Sequence, residues 1–110
     1  MDVSTLRNLQ KLYFFLDQNF EDLIAKCTSD DQRQQLRHDY VVARDSFVKA
    51  RNLVFQDDDP IVKSIKGQFT SLQNQMVAML AGEKEIVQIL GVATDAVNLA
   101  SRLLALGALA

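Results

Sequence analysis

The residues of this chain that could carry out chemistry are few and scattered. His38 is the one histidine and Cys27 the one cysteine. A metal centre in a helical bundle uses glutamates from several helices together with a Glu-x-x-His pair, whereas residue 35 here is Gln and only three glutamates occur. We therefore predict that His38 is a surface residue or flanks the apolar seam of its helix, and is not a metal ligand. We predict a buried and inert Cys27, because a reactive thiol needs an exposed, electropositive setting.

Three aspartates, Asp57 to Asp59, precede Pro60. A calcium loop would need alternating oxygen ligands and a closing glutamate, and this segment has neither. An acidic residue followed by proline is a common start for a helix, so we predict a helix cap here. The four glycines are isolated and form no phosphate-binding loop. The sequence thus predicts no catalytic, metal or cofactor site, and we expect a protein that is not an enzyme.

Three arginines, Arg37, Arg44 and Arg51, recur at seven-residue spacing and alternate with Val41 and Val48. A basic file of this kind suggests contact with nucleic acid. However, the chain has a net charge of −2, and Asp39 and Asp45 interrupt the file. We therefore expect a solvated helix face with ion pairs and no nucleic-acid partner.

Composition predicts an all-α protein that forms a single domain over residues 1–110. Hydrophobic residues make up 48% of the chain, one proline and four glycines occur, and no segment alternates apolar and polar residues as a strand would. A lone cysteine makes no internal disulfide, and MDVSTLRNLQ lacks the pattern of a signal peptide. We therefore expect a cytoplasmic protein.

Apolar residues in steps of three and four predict the helices. The first extends over about 4–27. The second extends from Ser29 or Asp30 to about Phe55, with a seam at Leu36, Tyr40, Ala43, Phe47, Ala50 and Val54. The third starts at Pro60, and its outer residues from Gly67 to Gln75 are uncharged, which is a weak sign of a contact surface.

The sequence allows two predictions for the structure at Gly82. A left-handed cap at Gly82 would end the third helix and give an antiparallel up-down bundle of four helices with short loops. Alternatively, the seam continues in phase through Glu83, and the bundle has three helices with a last one of about 47 residues. We favour four helices.

The segment from Ile86 to Leu106 is apolar at more than half of its positions, beyond the three in seven that a bundle helix needs. We predict that the surplus face binds a second copy, a dimer being favoured, or a protein partner. The predicted contact residues are Ile89, Val92, Ala96, Leu99, Leu103 and Leu106. The function predicted is a non-enzymatic interaction or scaffold module. The alternative is a membrane-acting protein that shields residues 86–110 in water, although Asp95 and Arg102 oppose a permanent span.

Overall fold

The computed structural model is all-α apart from one short pair of strands, and it describes residues 4–56 and 58–109. In chain order the elements are α1 (Ser4–Gln18), α2 (Phe20–Lys26), α3 (Asp30–Ala50), β1 (Leu53–Val54), α4 (Pro60–Ala81), α5 (Ile86–Leu106) and β2 (Ala108–Leu109). The predicted all-α bundle is confirmed. Asp57, part of the predicted cap segment, lies outside the described residues.

The four long helices pack as a bundle in which α5 lies against α4 and α3, and α1 lies against α3 and α4. The order around the bundle is therefore α1, α3, α5, α4. Tyr40 on α3 bonds Asp17 near the end of α1, whereas Phe47, further along α3, stacks on Tyr13, earlier in α1. These two helices are therefore antiparallel. Gln35 near the start of α3 bonds Thr94 in the first half of α5. The connection from α3 to α4 thus joins helices on opposite corners, which differs from the short loop between neighbours that we expected.

The first predicted helix is interrupted at Asn19, which has φ −107° and ψ 8°. Its side-chain Nδ2 donates to the carbonyl of Phe15 at 2.8 Å, and its backbone N–H donates to the same oxygen at 3.2 Å. Asparagine favours such local bonds over a continuous helix. The prediction of one helix over 4–27 is therefore corrected to α1 followed by the short α2.

The predicted helix starts are confirmed by their capping bonds. Ser29 Oγ accepts from the N–H of Gln32 at 3.2 Å. Asp59 Oδ1 accepts from the N–H of Ile61 at 2.8 Å, and Pro60 occupies the first helical position. Each side chain satisfies backbone donors that the first helical turn leaves free.

Helix α3 ends at Ala50, earlier than the predicted Phe55. Leu53 and Val54 instead pair antiparallel with Leu109 and Ala108. Gly107 lets the two segments approach, since a Cβ there would lie 2.9 Å from Leu53 Cδ1. The expected absence of strands was therefore wrong for these four residues, because their pairing depends on a distant segment.

A turn after Ala81 separates α4 from α5, so the long continuous helix is wrong. The N–H of Lys84 donates to Met79 O at 2.9 Å and that of Glu83 to Leu80 O at 3.2 Å. These two bonds form a Schellman motif. Its left-handed residue is Glu83, with φ 53°, and not the predicted Gly82, with φ −84°.

Glycine at residue 83 should stabilise the protein. A residue with a side chain costs about 1–2 kcal/mol in the left-handed region, and glycine removes this cost. Part of the stability gained is offset because glycine makes the unfolded chain more flexible. We expect Glu83→Gly to raise the free energy of unfolding by about 0.5–1 kcal/mol, measured by urea denaturation. Lys84→Gly is the matched control and should lower stability, since Glu83 is the one described non-glycine residue with positive φ. A lower stability for Glu83→Gly would contradict this account of the turn.

Candidate interaction surfaces

The side chains predicted to form the contact face of α5 lie mostly inside the protein. Ile89, Ala96 and Leu103 are fully buried, and Leu99 is 7% exposed. Val92 is half-buried, and Leu106 is 40% exposed. Ile89, Ala96 and Leu103 therefore cannot contact a partner in this conformation, and most of the face that we expected to be left over is covered within one chain.

Two neighbouring helices provide this cover. Leu99 lies beside Leu72 of α4, and Leu104 lies beside Leu53, just after α3. Leu99 belongs to the row of predicted contact residues, and Leu104 belongs to a second apolar row. The two rows, which we call the apolar seams of α5, are Ile89, Val92, Ala96, Leu99, Leu103 and Leu106, and Ile86, Leu90, Ala93, Val97, Ala100 and Leu104. The outward edge of α5 is polar and includes Gln88, Asp95, Asn98 and Arg102. The surfaces left for binding must therefore include other helices.

The outer face of α4 carries a row of small, uncharged residues, which we call the α4 row. Its members are all exposed and follow in steps of three and four: Ser64, Gly67, Ser71, Asn74, Ala78 and Ala81. Such steps place side chains on one line along a helix. A Cβ added at Gly67 would meet nothing within 4 Å. The row is thus an open surface of low relief, and the uncharged stretch in the sequence was the signal for it.

A groove of about 680 Å³ lies beside the α4 row, between α4 and α5. Its apolar residues are Leu72 and Leu99, and its polar residues from α5 are Asp95, Asn98 and Arg102. Neither Asp95 nor Arg102 forms an ion pair within the part of the chain that the structure describes. The α5 edge of this groove therefore carries one free charge of each sign, two helical turns apart.

A second groove, of about 420 Å³, lies on the other side of α4, against α1. Phe14 and Val77 line it and are 43% and 56% exposed. Its polar residues are mainly amides, including Gln10, Gln73 and Asn74. Gln73 Nε2 donates to the carbonyl of Asn8 at 2.8 Å and ties the two helices together. Grooves therefore flank the α4 row on both sides.

The outer face of α3 carries the predicted arginine file, and all of it is exposed. We call Arg37, Val41, Arg44, Val48 and Arg51 the Arg–Val stripe. Val41 and Val48 are 40% and 47% exposed. Arg44 Nε lies 3.5 Å from Asp45 Oδ1, whereas Arg37 and Arg51 have no ion pair with any described residue. We expected several ion pairs on this face, and among the described residues the stripe has one, between Arg44 and Asp45.

An aromatic cluster borders the stripe where α1 meets α3. Tyr13 stacks on Phe47 with ring centroids 6.0 Å apart, and Phe14 meets the same ring edge-on at 6.4 Å. Tyr40 packs edge-on against Phe20 at 5.1 Å. Its hydroxyl donates to Asp17 Oδ1 at 2.5 Å, and this bond raises the pKa of Tyr40 to about 12. These contacts hold Tyr40 and Phe47 in place along one side of the Arg–Val stripe.

A polar group that the sequence did not reveal lies between α3 and α5. Asp39 is 1% exposed, and its Oδ2 accepts from Thr94 Oγ1 at 2.7 Å. Thr94 Oγ1 in turn accepts from Gln35 Nε2 at 2.7 Å. Burial raises the pKa of Asp39 above its usual 3.8, while the Thr94 bond and nearby His38 oppose the rise. The sequence placed Tyr40 and Phe47 on the buried seam, but Asp39 and Ser46 occupy it.

The residues first considered for chemistry lie apart from one another. His38 is exposed, as predicted. Cys27 is buried, its Sγ donates to Leu23 O at 3.3 Å, and burial raises the pKa of its thiol. No group of three or more His, Cys, Asp or Glu residues that could hold a metal occurs among the described residues. Helix α5 is long and apolar enough to cross a bilayer, although a core helix of a water-soluble protein meets the same criterion.

The buried Asp39 predicts a particular pH dependence. Because its pKa in the folded protein is raised, its destabilising effect is fully present above that pKa. This effect disappears as the pH falls through the raised pKa toward the unfolded value of 3.8. We expect Asp39→Asn, whose amide oxygen can still accept from Thr94, to be more stable than the parent at about pH 7. The advantage should narrow toward about pH 4, as measured by urea denaturation across pH.

Thr94→Val is the matching variant, because it removes the donor and leaves the carboxylate buried. We expect it to lower the free energy of unfolding by about 1–3 kcal/mol near neutral pH. This decrease in the free energy of unfolding should become smaller as the pH falls. A difference between Asp39→Asn and the parent that stays constant with pH would contradict the assignment of the pH dependence to Asp39.

Comparison with known proteins gives no match of any kind. No family model matches the chain, and neither a curated protein nor a solved structure resembles it significantly. The function must therefore be argued from the surfaces described above.

Proposed function

We propose that this protein is a non-enzymatic helical interaction module that forms a homodimer through α4 and the adjoining edge of α5. The observation that carries the proposal is the α4 row, an exposed line of small, uncharged residues beside a groove bearing Asp95 and Arg102. We place the contact here because most of the side chains first predicted on α5 are covered by α3 and α4.

The α4 row suits a helix that pairs with another. It extends from Ser64 to Ala81, which corresponds to about 26 Å at 1.5 Å per residue. Small side chains permit a short distance between helix axes. The depletion of charge is also typical of the centre of a protein interface, where desolvating an ion is costly.

The chemistry of this face is compatible with a second copy of the same chain. Hydroxyl and amide groups both donate and accept hydrogen bonds, so Ser71, Asn74 and Gln75 can each pair with an identical group. Among the described residues, the side-chain amides of Gln68 and Gln75 make long hydrogen bonds, to Ser64 at 3.3 Å and to Ser71 at 3.4 Å. They are therefore available to a partner at little cost.

The two charges on α5 favour an antiparallel arrangement. Consider a two-fold axis that lies in the interface and is perpendicular to α4. It makes the two copies of α4 antiparallel and brings the two copies of α5 to the same side, where they face each other. Asp95 of each copy then lies toward Arg102 of the other. A two-fold interface makes each such contact twice. Exposed pairs of this kind contribute little stability, about 0.2–1 kcal/mol each, but they select one orientation over the other.

Gly67 offers a test that spares the fold, because a side chain there meets nothing. We expect the parent to sediment as a dimer at micromolar concentration and Gly67→Glu to sediment as a monomer, since the change places two like charges in the interface. Gly67→Ala is the control and should remain dimeric. Both replacements should stabilise the monomer, Ala by about 1 kcal/mol, because glycine is a poor helix residue.

Charge exchange provides the second arm of this test. Asp95→Arg and Arg102→Asp should each weaken the dimer, and the double variant should restore it. A parent protein that is monomeric at micromolar concentration would refute the proposal. A dimer that Gly67→Glu leaves intact would refute the assigned face.

A membrane function is the second candidate, because α5 satisfies the length and hydropathy of a bilayer span. In this proposal residues 86–110 are shielded by α3 and α4 in water and are released at a membrane. Release must uncover Ile89, Leu99 and Leu103, and each buried side chain of this kind contributes about 1.5–3 kcal/mol to the packed state. The packed bundle therefore opposes insertion, which is why we place this candidate second.

Vesicle flotation tests the membrane candidate with the intact chain. Leu103→Ala should weaken the packing of α5 by about 2–5 kcal/mol and so increase flotation with neutral and anionic vesicles if insertion occurs. Absence of flotation by both parent and variant would eliminate the candidate. Flotation only with anionic vesicles, equal for both proteins, would indicate surface binding and not insertion.

A further inference from the structure

The Arg–Val stripe of α3 differs from the α4 row in a way that indicates a different partner. Its five residues follow in steps of four and three, which is the spacing of a helix seam that receives another helix. Its valines are exposed, and two of its arginines, Arg37 and Arg51, have no ion pair with a described residue. The stripe thus combines exposed apolar side chains with positive charge, and Arg44 alone of its three arginines has an ion pair among the described residues.

We propose that the Arg–Val stripe binds an acidic amphipathic helix of another protein, a helix whose carboxylates recur every seven residues beside an apolar seam. Three guanidinium groups at seven-residue spacing match three carboxylates at the same spacing, and arginine binds a carboxylate through two parallel hydrogen bonds. Val41 and Val48 lie between these charges and receive the apolar residues of the partner. The stripe therefore specifies both the charge and the period of its ligand.

The same charges exclude a second copy of this chain from the stripe. If two α3 helices paired in parallel, each arginine would face its own counterpart. If they paired antiparallel about Arg44, Arg44 would face Arg44 and Arg37 would face Arg51. Like charges held opposite each other across an interface are destabilising. This site is therefore separate from the proposed homodimer.

The neighbouring residues favour a helix over a broad anionic surface. Tyr40 lies three residues after Arg37 and four before Arg44, and Phe47 stands in the same relation to Arg44 and Arg51, so aromatic rings line one side. Exposed Asp45 and Asp31 belong to the opposite side. A narrow acidic helix can avoid these two carboxylates, whereas a lipid leaflet or a nucleic-acid duplex would approach them.

Two labelled synthetic helices of about 21 residues, carrying Leu and Glu or Leu and Lys at alternate seam positions, serve as probes. We expect the parent to bind the Glu helix at least about ten-fold more tightly than the Lys helix by fluorescence anisotropy, with weaker binding as salt rises from about 50 to 150 mM. The triple variant Arg37→Glu, Arg44→Glu, Arg51→Glu should reverse this preference. Lys49→Glu, a charge reversal off the stripe, should leave it unchanged.

Further arms separate a specific helix site from general attraction of anions. Val41→Ser with Val48→Ser should weaken binding of the Glu helix about ten-fold, because the apolar contacts are lost. Equal binding by this variant would overturn the proposal, and so would a parent that binds neither probe. Tighter binding of phosphatidylserine vesicles or of a mixed-sequence DNA duplex would overturn it in favour of those ligands. Gly67→Glu should bind the Glu helix normally, so failure of the homodimer and failure of this site are distinguishable.

Discussion

Cover for α5 is the physical requirement on which the rest of this structure depends. The helix buries nine of its residues, more than any other element, and exposes mainly a narrow polar edge. Each fully buried aliphatic side chain such as Ile89 or Leu103 contributes about 1.5–3 kcal/mol relative to exposure to water. The helix packs mainly against two others, α4 and α3. The chain satisfies the requirement by placing α5 between α3 and α4.

The order of the helices around the bundle follows from this placement. Since α3 and α4 must lie on opposite flanks of α5, they cannot also be neighbours, and the segment between them has to cross the bundle. Pairing of Leu53 and Val54 with the residues after α5 secures that crossing segment. The two flanking helices meet α5 with different side chains. Helix α3 buries small residues such as Ala43 and Ala50, whereas α4 buries Phe69 and Met76.

The outer faces of these flanking helices carry the two contacts that we propose, and their charges distinguish the two proposed partners. In our proposal the α4 row, which lacks charged side chains, pairs with its own copy. The Arg–Val stripe repels its own copy and attracts carboxylates. Both surfaces lie on helices whose inner faces are fixed by α5, so neither requires the core to open. One small bundle can thus offer two independent contacts.

Local signals in the sequence predicted local structure well. The helix starts at Ser29 or Asp30 and at Pro60 were predicted from residue type, because a cap depends only on the next few backbone N–H groups. The turn at Glu83 was harder, since the apolar period continues through it and a glutamate in the left-handed region has no marker in the sequence. The strand pair depends on residues more than fifty positions apart. The expected surplus face of α5 failed because counting apolar positions does not reveal how many neighbours a helix has.

The misplaced seam of α3 shows what decides the packing where hydrophobicity alone does not. Tyr40 and Phe47 are more apolar than Asp39 and Ser46, yet they lie at the edge, where they pack against aromatic rings of α1. Their bulk would hold α5 away from α3, whereas Ala43, Ser46 and Ala50 permit its close approach. Rows of small residues, however, specify register poorly, because a shift by one turn replaces one small contact with another. Asp39 reduces this ambiguity, since the observed register gives its buried carboxylate the hydroxyl of Thr94 as donor. Loss of that donor from a buried acceptor costs about 1–3 kcal/mol, which is large compared with differences among alanine contacts.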